Sequence, residues 1–202
     1  MTKKNVGQIN KKTISALEDL IKALDKKVSI RVGIIGNKAI EKHPDSNLTN
    51  AQLGAIHEFG ADIQVTDKMR GYFWHKYGIH LKKKVIHIPA RSFLRDTLLS
   101  KEGKEELLEK VGLDVKDKEF NRELVKYKTM IDGNYFLALC EQIGMNAVEM
   151  VQTAFYIGGR PNKWQPITEF TKVHRKNDPE SPPLTDSGQL RDSITYEVKE
   201  IK

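Results

Sequence analysis

Hydrophobic positions along the chain switch between two periods, and the switches mark out its elements. Ile14, Leu17, Leu20, Ile21 and Leu24 recur at helical spacing, and Ser15 with Glu18 has the spacing of a capping box. An amphipathic helix is therefore predicted from about Thr13 to Lys26. Val28, Ile30, Val32 and Ile34 then alternate with Ser29, Arg31 and Gly33, which predicts a strand over Lys27 to Ile35 that turns at Gly36-Asn37. Ala39 to Leu48 is polar, contains Pro44 and reads as a loop. Thr49 and Gln52 are placed to cap a helix with Leu53, Ile56 and Phe59 on one side, which Gly60 stops.

From Ile63 the same logic gives a short helix capped at Thr66, with Met69, Phe73 and Tyr77 along one edge and Gly78 at its end. Lys82-Lys83-Lys84 leads into a strand, Val85 to Ile88, that Pro89 terminates because proline cannot donate to the ladder. The segment 63–88 thus folds back onto the sheet or projects as a flap. A helix using Phe93, Leu94 and Leu98 is expected from near Arg91. Lys101 to Asp117 is charged and holds one weak helix around Glu105 to Val111. Phe120, Leu124, Tyr127 and Ile131 mark another helix, interrupted at Asp132-Gly133-Asn134. The strongest helical pattern runs from Tyr135 to Ile157, with Phe136, Leu139, Ile143, Ala147, Met150, Val151 and Ala154 on one side. So broad an apolar stripe needs a second layer, and the sheet is expected to pack on it.

Gly158-Gly159 ends that helix. Pro161 and Pro166 then favour extended backbone and leave Trp164 as an apolar anchor on a loop. A polar, proline-rich stretch, Thr171 to Pro183, carries too little apolar surface to offset its ordering entropy, so it is a candidate for ordering on assembly. Ile194, Tyr196 and Val198 alternate with polar residues and predict a final strand, Ser193 to Lys199.

Three motifs in this chain are similar to those of one family. Trp164-Gln165-Pro166, followed after a polar excursion by Asp186-Ser187-Gly188-Gln189-Leu190-Arg191-Asp192-Ser193-Ile194, resembles the C-terminal signature of the phage virion morphogenesis family, the tail-completion or head-tail joining proteins of tailed bacteriophages. Asn50 to Gly60 resembles the family's helix ending in glutamate-phenylalanine-glycine, and Ile88 to Leu94 its isoleucine-proline turn before a phenylalanine. Ser92 and Ser187 stand where the pattern has proline and threonine, and Lys101 to Gly133 has no clear counterpart. The resemblance implies a structural virion protein that completes the tail end or joins head and tail as a homo-oligomeric ring. It would meet other neck or tail proteins, namely connector, tail tube or terminator, in the virion and, during assembly, in the host cytoplasm.

Composition narrows the classes. The chain of 202 residues is long enough for one domain with a real core, and 30% charged residues against 39% hydrophobic suit long solvated helix faces. No apolar run approaches a membrane span and no hydrophobic leader follows Met1, so no membrane partner is expected. The single cysteine, Cys140, lies at helical spacing with Leu137 and Ile143 and reads as core filler. The formal net charge of +7 permits non-specific DNA contact without demanding it.

Candidate chemistry is sparse. The six histidines have no zinc spacing, no phosphate loop or nucleophile elbow is present, and His57 and Glu58, adjacent on a helix, point apart. No catalytic, metal or cofactor site is expected, and the protein is not expected to be an enzyme. Arg91, Arg160 and Arg191 each stand beside a turn in a matched motif, where a guanidinium ties loop carbonyls or reaches a neighbouring subunit. Trp164 either pins its own loop or anchors a partner; these four residues are the candidate subunit or partner interface. Lys82, Lys83 and Lys84 form a candidate basic patch, read first as a solvated rim. The expected architecture is a single α+β domain over 1–202, with a small mixed or antiparallel sheet packed against long helices and extended loops. It carries a flap near 63–88 and an insertion near 101–133. The rival function is a basic nucleic-acid-binding protein acting in phage DNA packaging or processing, for which only Tyr72 to Lys84 offers the needed mix of aromatic and basic residues.

Overall fold

A long apolar helix face has to be covered, and here a two-stranded ribbon covers it. The computed structural model describes residues 27–43, 46–110, 133–175 and 178–201. In chain order these form β1 (Lys27–Gly33), α1 (Asn37–Ile40), α2 (Asn50–Phe59), β2 (Ala61–Gln64), α3 (Asp67–Tyr77), β3 (Val85–Ile88), α4 (Arg95–Leu99), α5 (Lys101–Lys110), α6 (Gly133–Ile157), α7 (Glu169–Val173), α8 (Gln189–Asp192) and β4 (Thr195–Ile201). The fold is α+β, with helices packed against small antiparallel sheets. The helices expected at Thr13 to Lys26 and around Phe120 to Ile131 lie outside the described residues.

β1 and β4 pair antiparallel from Lys27 opposite Ile201 to Gly33 opposite Thr195, and α6 lies across this ribbon. The fit is close: a Cβ on Gly144 of α6 would stand 2.2 Å from the Tyr196 ring of β4. Further along α6, Val151 and Phe155 meet Phe93, Leu190 and Ile194 in the buried core, with Ile34, Leu98, Trp164 and Leu184 packed around it. Leu190 and Ile194 are both buried there. Cys140 is buried on α6, and burial raises its thiol pKa above the ordinary value.

Several expectations are corrected. Val85–Ile88 does not join the sheet of β1 and β4; it pairs with β2 in a second two-stranded sheet, from Ala61 opposite Ile88 to Gln64 opposite Val85. β2 was invisible in the sequence because four residues between Gly60 and Thr66 give too few alternations to read. α1 covers the expected turn residue Asn37 and the first two residues of the stretch read as a loop, Ala39 and Ile40, and Lys42 bridges to Thr49. The helix expected from Arg91 begins only at Arg95, because the preceding backbone wraps a carboxylate. Lys101–Lys110 is a full helix, with the Ser100 hydroxyl accepting from Gly103 N–H. α6 begins at Gly133, two residues before the expected Tyr135. Phe59, assigned to the apolar face of α2, is 68% exposed. In the proline-rich stretch, Glu169–Val173 is helical, and the Arg175 guanidinium donates to the carbonyls of Ser181 and Pro182.

Candidate functional site

The capping box expected at Thr49 is present: its hydroxyl accepts from Gln52 N–H, and the Gln52 side chain accepts from Thr49 N–H. α2 therefore starts at a fixed place, and ten residues later Gly60 stops it with φ of 75°. Glycine is required there twice over, because a Cβ would also stand 2.9 Å from the Ile88 carbonyl oxygen. This close approach brings the last turn of α2 against residues 88–95. Glu58, buried, accepts there from the Ser92 hydroxyl (2.6 Å) and from the N–H groups of Phe93 (2.9 Å), Leu94 (3.0 Å) and Arg95 (2.9 Å). A carboxylate from α2 thus satisfies the free N–H groups at the start of α4, where it also complements the helix dipole. Arg91 N–H donates to the His57 carbonyl at 2.7 Å, and Arg91 Nε to the Gln165 carbonyl at 3.1 Å.

A second set of bonds ties in the C-terminal motif. Asn50, fully buried, donates to the Lys38 carbonyl at 3.0 Å and accepts from the Gln189 side-chain amide at 3.0 Å. Gln189 also donates to the Lys42 carbonyl. His43 meets the Ser187 hydroxyl at 3.2 Å, and Lys38 Nζ donates to the Asp192 carbonyl. Gly188 has a positive φ, 73°. The four stretches that carry the family resemblance therefore meet in one contiguous unit around α2.

Most of the candidate interface residues are engaged within the chain. Arg91 is only 7% exposed. Arg160 holds the Glu106 carboxylate with both terminal guanidinium nitrogens. Trp164 packs edge-on against Phe155, ring centroids 5.6 Å apart, and pins its own loop to the core. Arg191 pairs with Asp192 at 2.7 Å and lies over the Tyr156 ring, 4.9 Å from its centroid. Lys82, Lys83 and Lys84 are exposed on the loop before β3, away from this unit. His57 and Glu58 do point to different surroundings: the His57 Nδ1 is buried with no hydrogen-bond partner, and burial, with Arg91 nearby, lowers its pKa from 6.5 to about 4. Sequence reasoning missed the roles of Glu58 and Asn50, because their partners are backbone groups far along the chain. Among the described residues no group of histidine, cysteine and carboxylate side chains is placed to hold a metal ion, and no helix is long and apolar enough to cross a membrane.

Beside the carboxylate lies an open apolar groove of about 440 Å³. Val32 and Ile34 form one wall, Ala51 and Ala55 of α2 another, and Leu98 of α4 the floor. Phe59 and Leu99 stand on its rim, Leu99 61% exposed, and the Arg95 guanidinium lies 5.6 Å from the Phe59 ring centroid. Compared with known protein families, curated proteins and solved structures, the chain matches none.

Proposed function

We propose that this chain is a structural protein of a tailed phage or prophage virion that completes the tail end or joins head and tail, acting as a ring of identical subunits rather than as a catalyst. The observation that carries the reading is the convergence of the resembling stretches. Residues 50–60, 88–94, 164–166 and 186–194 pack as one unit, and their polar groups hold one another. That is how motifs behave when they define a fold and leave the contacts with partners to the surrounding surface. Two surface features suit a subunit in a ring. The groove with Phe59 and Leu99 on its rim is an apolar surface of the kind that associating proteins cover. Among the described residues neither outer edge of the β1–β4 ribbon is paired. An open strand edge lets one copy pair with the next, and repeated heterologous contacts close into a ring.

Electron microscopy of the purified protein, alone and mixed with phage tails, tests this. Rings that cap the tail end support the reading. A protein that stays monomeric at high concentration and binds neither tails nor heads overturns it.

A further inference from the structure

The hairpin formed by β2, α3 and β3 projects from the motif unit and is built differently from the rest of the chain. Across β2, α3 and β3 stand Lys68, Arg70, Lys76, Lys82, Lys83 and Lys84 against the two carboxylates of Asp62 and Asp67, a surplus of four within the chain's formal net charge of +7. The inner side of α3 is fixed by aromatic contacts to α7, with Phe73 and Tyr77 ring centroids 5.8 and 5.2 Å from that of Phe170. Tyr72 and Trp74, two positions apart and so on different flanks of α3, keep 51% and 48% of their surface exposed, Tyr72 while packing edge-on against Phe73 and Tyr77.

Their positions are set by the chain itself. Trp74 stacks on His80 at 4.0 Å between centroids. Lys76 Nζ donates to the Tyr72 hydroxyl at 2.8 Å. Arg70 donates to the carbonyls of Leu81 and Lys83 and so holds the lysine loop against α3. The ammonium groups of Lys82, Lys83 and Lys84 make no hydrogen bond or ion pair among the described residues. Arg70 thus organises the loop, while the three lysines that follow are left for a ligand.

We infer that this hairpin is a nucleic-acid-binding surface, in which Lys82, Lys83 and Lys84 contact phosphates and the exposed ring of Trp74 stacks on an unpaired base. Clustered lysines alone would suit any polyanion. An exposed tryptophan ring held by His80 at the start of the same loop favours a single strand, because a base offers a π-face and an acidic peptide does not. The surface lies outside the groove and the ribbon edges, so it does not depend on the proposed ring.

The test is fluorescence anisotropy with labelled oligothymidylate, with a duplex of equal length and with poly-glutamate, each across a salt series. The single strand should bind most tightly. Replacing all three lysines by glutamine should reduce the slope of log affinity against log salt by roughly 2, at about 0.7 per phosphate contact on a single strand. Trp74→Ala should weaken binding about tenfold at unchanged salt slope, and Trp74→Phe should restore most of it. Circular dichroism confirms that each variant is folded. Absence of salt-dependent binding, wild-type affinity in both the lysine and Trp74→Ala variants, or tighter binding of poly-glutamate or of duplex overturns the inference. Rings that form without binding DNA refute this surface and leave the structural reading standing; DNA binding by a protein that never assembles does the reverse.

Discussion

Replacing Glu58 by alanine removes one acceptor group from four donors at once. Three of these are backbone N–H groups of Phe93, Leu94 and Arg95, held where Phe93 is fully buried and water has little access. The fourth, the Ser92 hydroxyl, can rotate, and it already accepts from Asp96 N–H at 3.0 Å. An unsatisfied buried donor costs about 1–3 kcal/mol, and the losses at one site are not additive, so the variant should lose about 3–5 kcal/mol. That is a large part of the roughly 5–15 kcal/mol that a domain has in total. Glu58→Gln separates geometry from charge. Its carbonyl can serve Phe93 and Leu94, both of which now bond Oε2, while its amide faces Ser92 and Arg95. Ser92 can turn and accept, which leaves only the Arg95 N–H opposed, for a loss of about 1–2 kcal/mol. Urea unfolding followed by circular dichroism should rank wild type above glutamine above alanine. An alanine variant within about 1 kcal/mol of wild type, or a glutamine variant as damaged as alanine, refutes the carboxylate as what holds the turn before α4.

Leu190→Asp places a charge in the core beside Phe93, Val151 and Phe155 and should cost about 2–5 kcal/mol; a thermal melt unchanged from wild type would remove α8 from the core. Gly144→Ala pushes a methyl group into the Tyr196 ring and should cost about 1–3 kcal/mol. Much of that loss should be absent when the same change is made on a Tyr196→Ala background, as a double-mutant cycle reads. For His57, folded-state pKa about 4 lies below the ordinary 6.5. The unfolded chain therefore takes up the proton first, so this contribution is intact above pH 6.5 and is lost as pH falls toward 4. At about 1.4 kcal/mol per pKa unit the loss is about 3 kcal/mol. His57→Leu should flatten the stability–pH curve over that window, and an unchanged curve would show that the ring titrates in contact with solvent.

What the sequence made legible was local. The Thr49–Gln52 capping box, the stops at Gly60, Gly78 and Gly158, and the periods of β1, α6 and β4 are each written in neighbouring residues, and each is present. The partnering of strands was not legible, because β3 pairs with β2, whose pattern is too short to announce itself. Nor was the role of Glu58. Its partners lie 34 to 37 positions along the chain and three of the four are backbone N–H groups, which every residue but proline has. A buried acid that caps a distant helix looks, in sequence, like any acid in the last turn of its own.

This difference bears on where recognition resides. Arg91, Arg160, Trp164 and Arg191 were singled out because they stand in matched motifs, yet the core, a carbonyl, a carboxylate and a ring of the same chain already take up their functional groups. A residue engaged this way gains little from a partner unless its own bonds are broken first, and breaking them leaves buried polar groups unsatisfied. Among the large side chains that stay exposed are Phe59, itself a motif residue, and Leu99 beside the groove, and Tyr72 and Trp74 on α3. None of the four is tied into the hydrogen bonds that join the motifs. Substitution at Phe59 or Leu99 should therefore leave folding close to intact and change association, whereas substitution at Arg91 should act on folding first. The hydrogen-bonded motif residues keep the unit together, and exposed side chains such as Phe59 and Leu99 are free to specify what the unit meets.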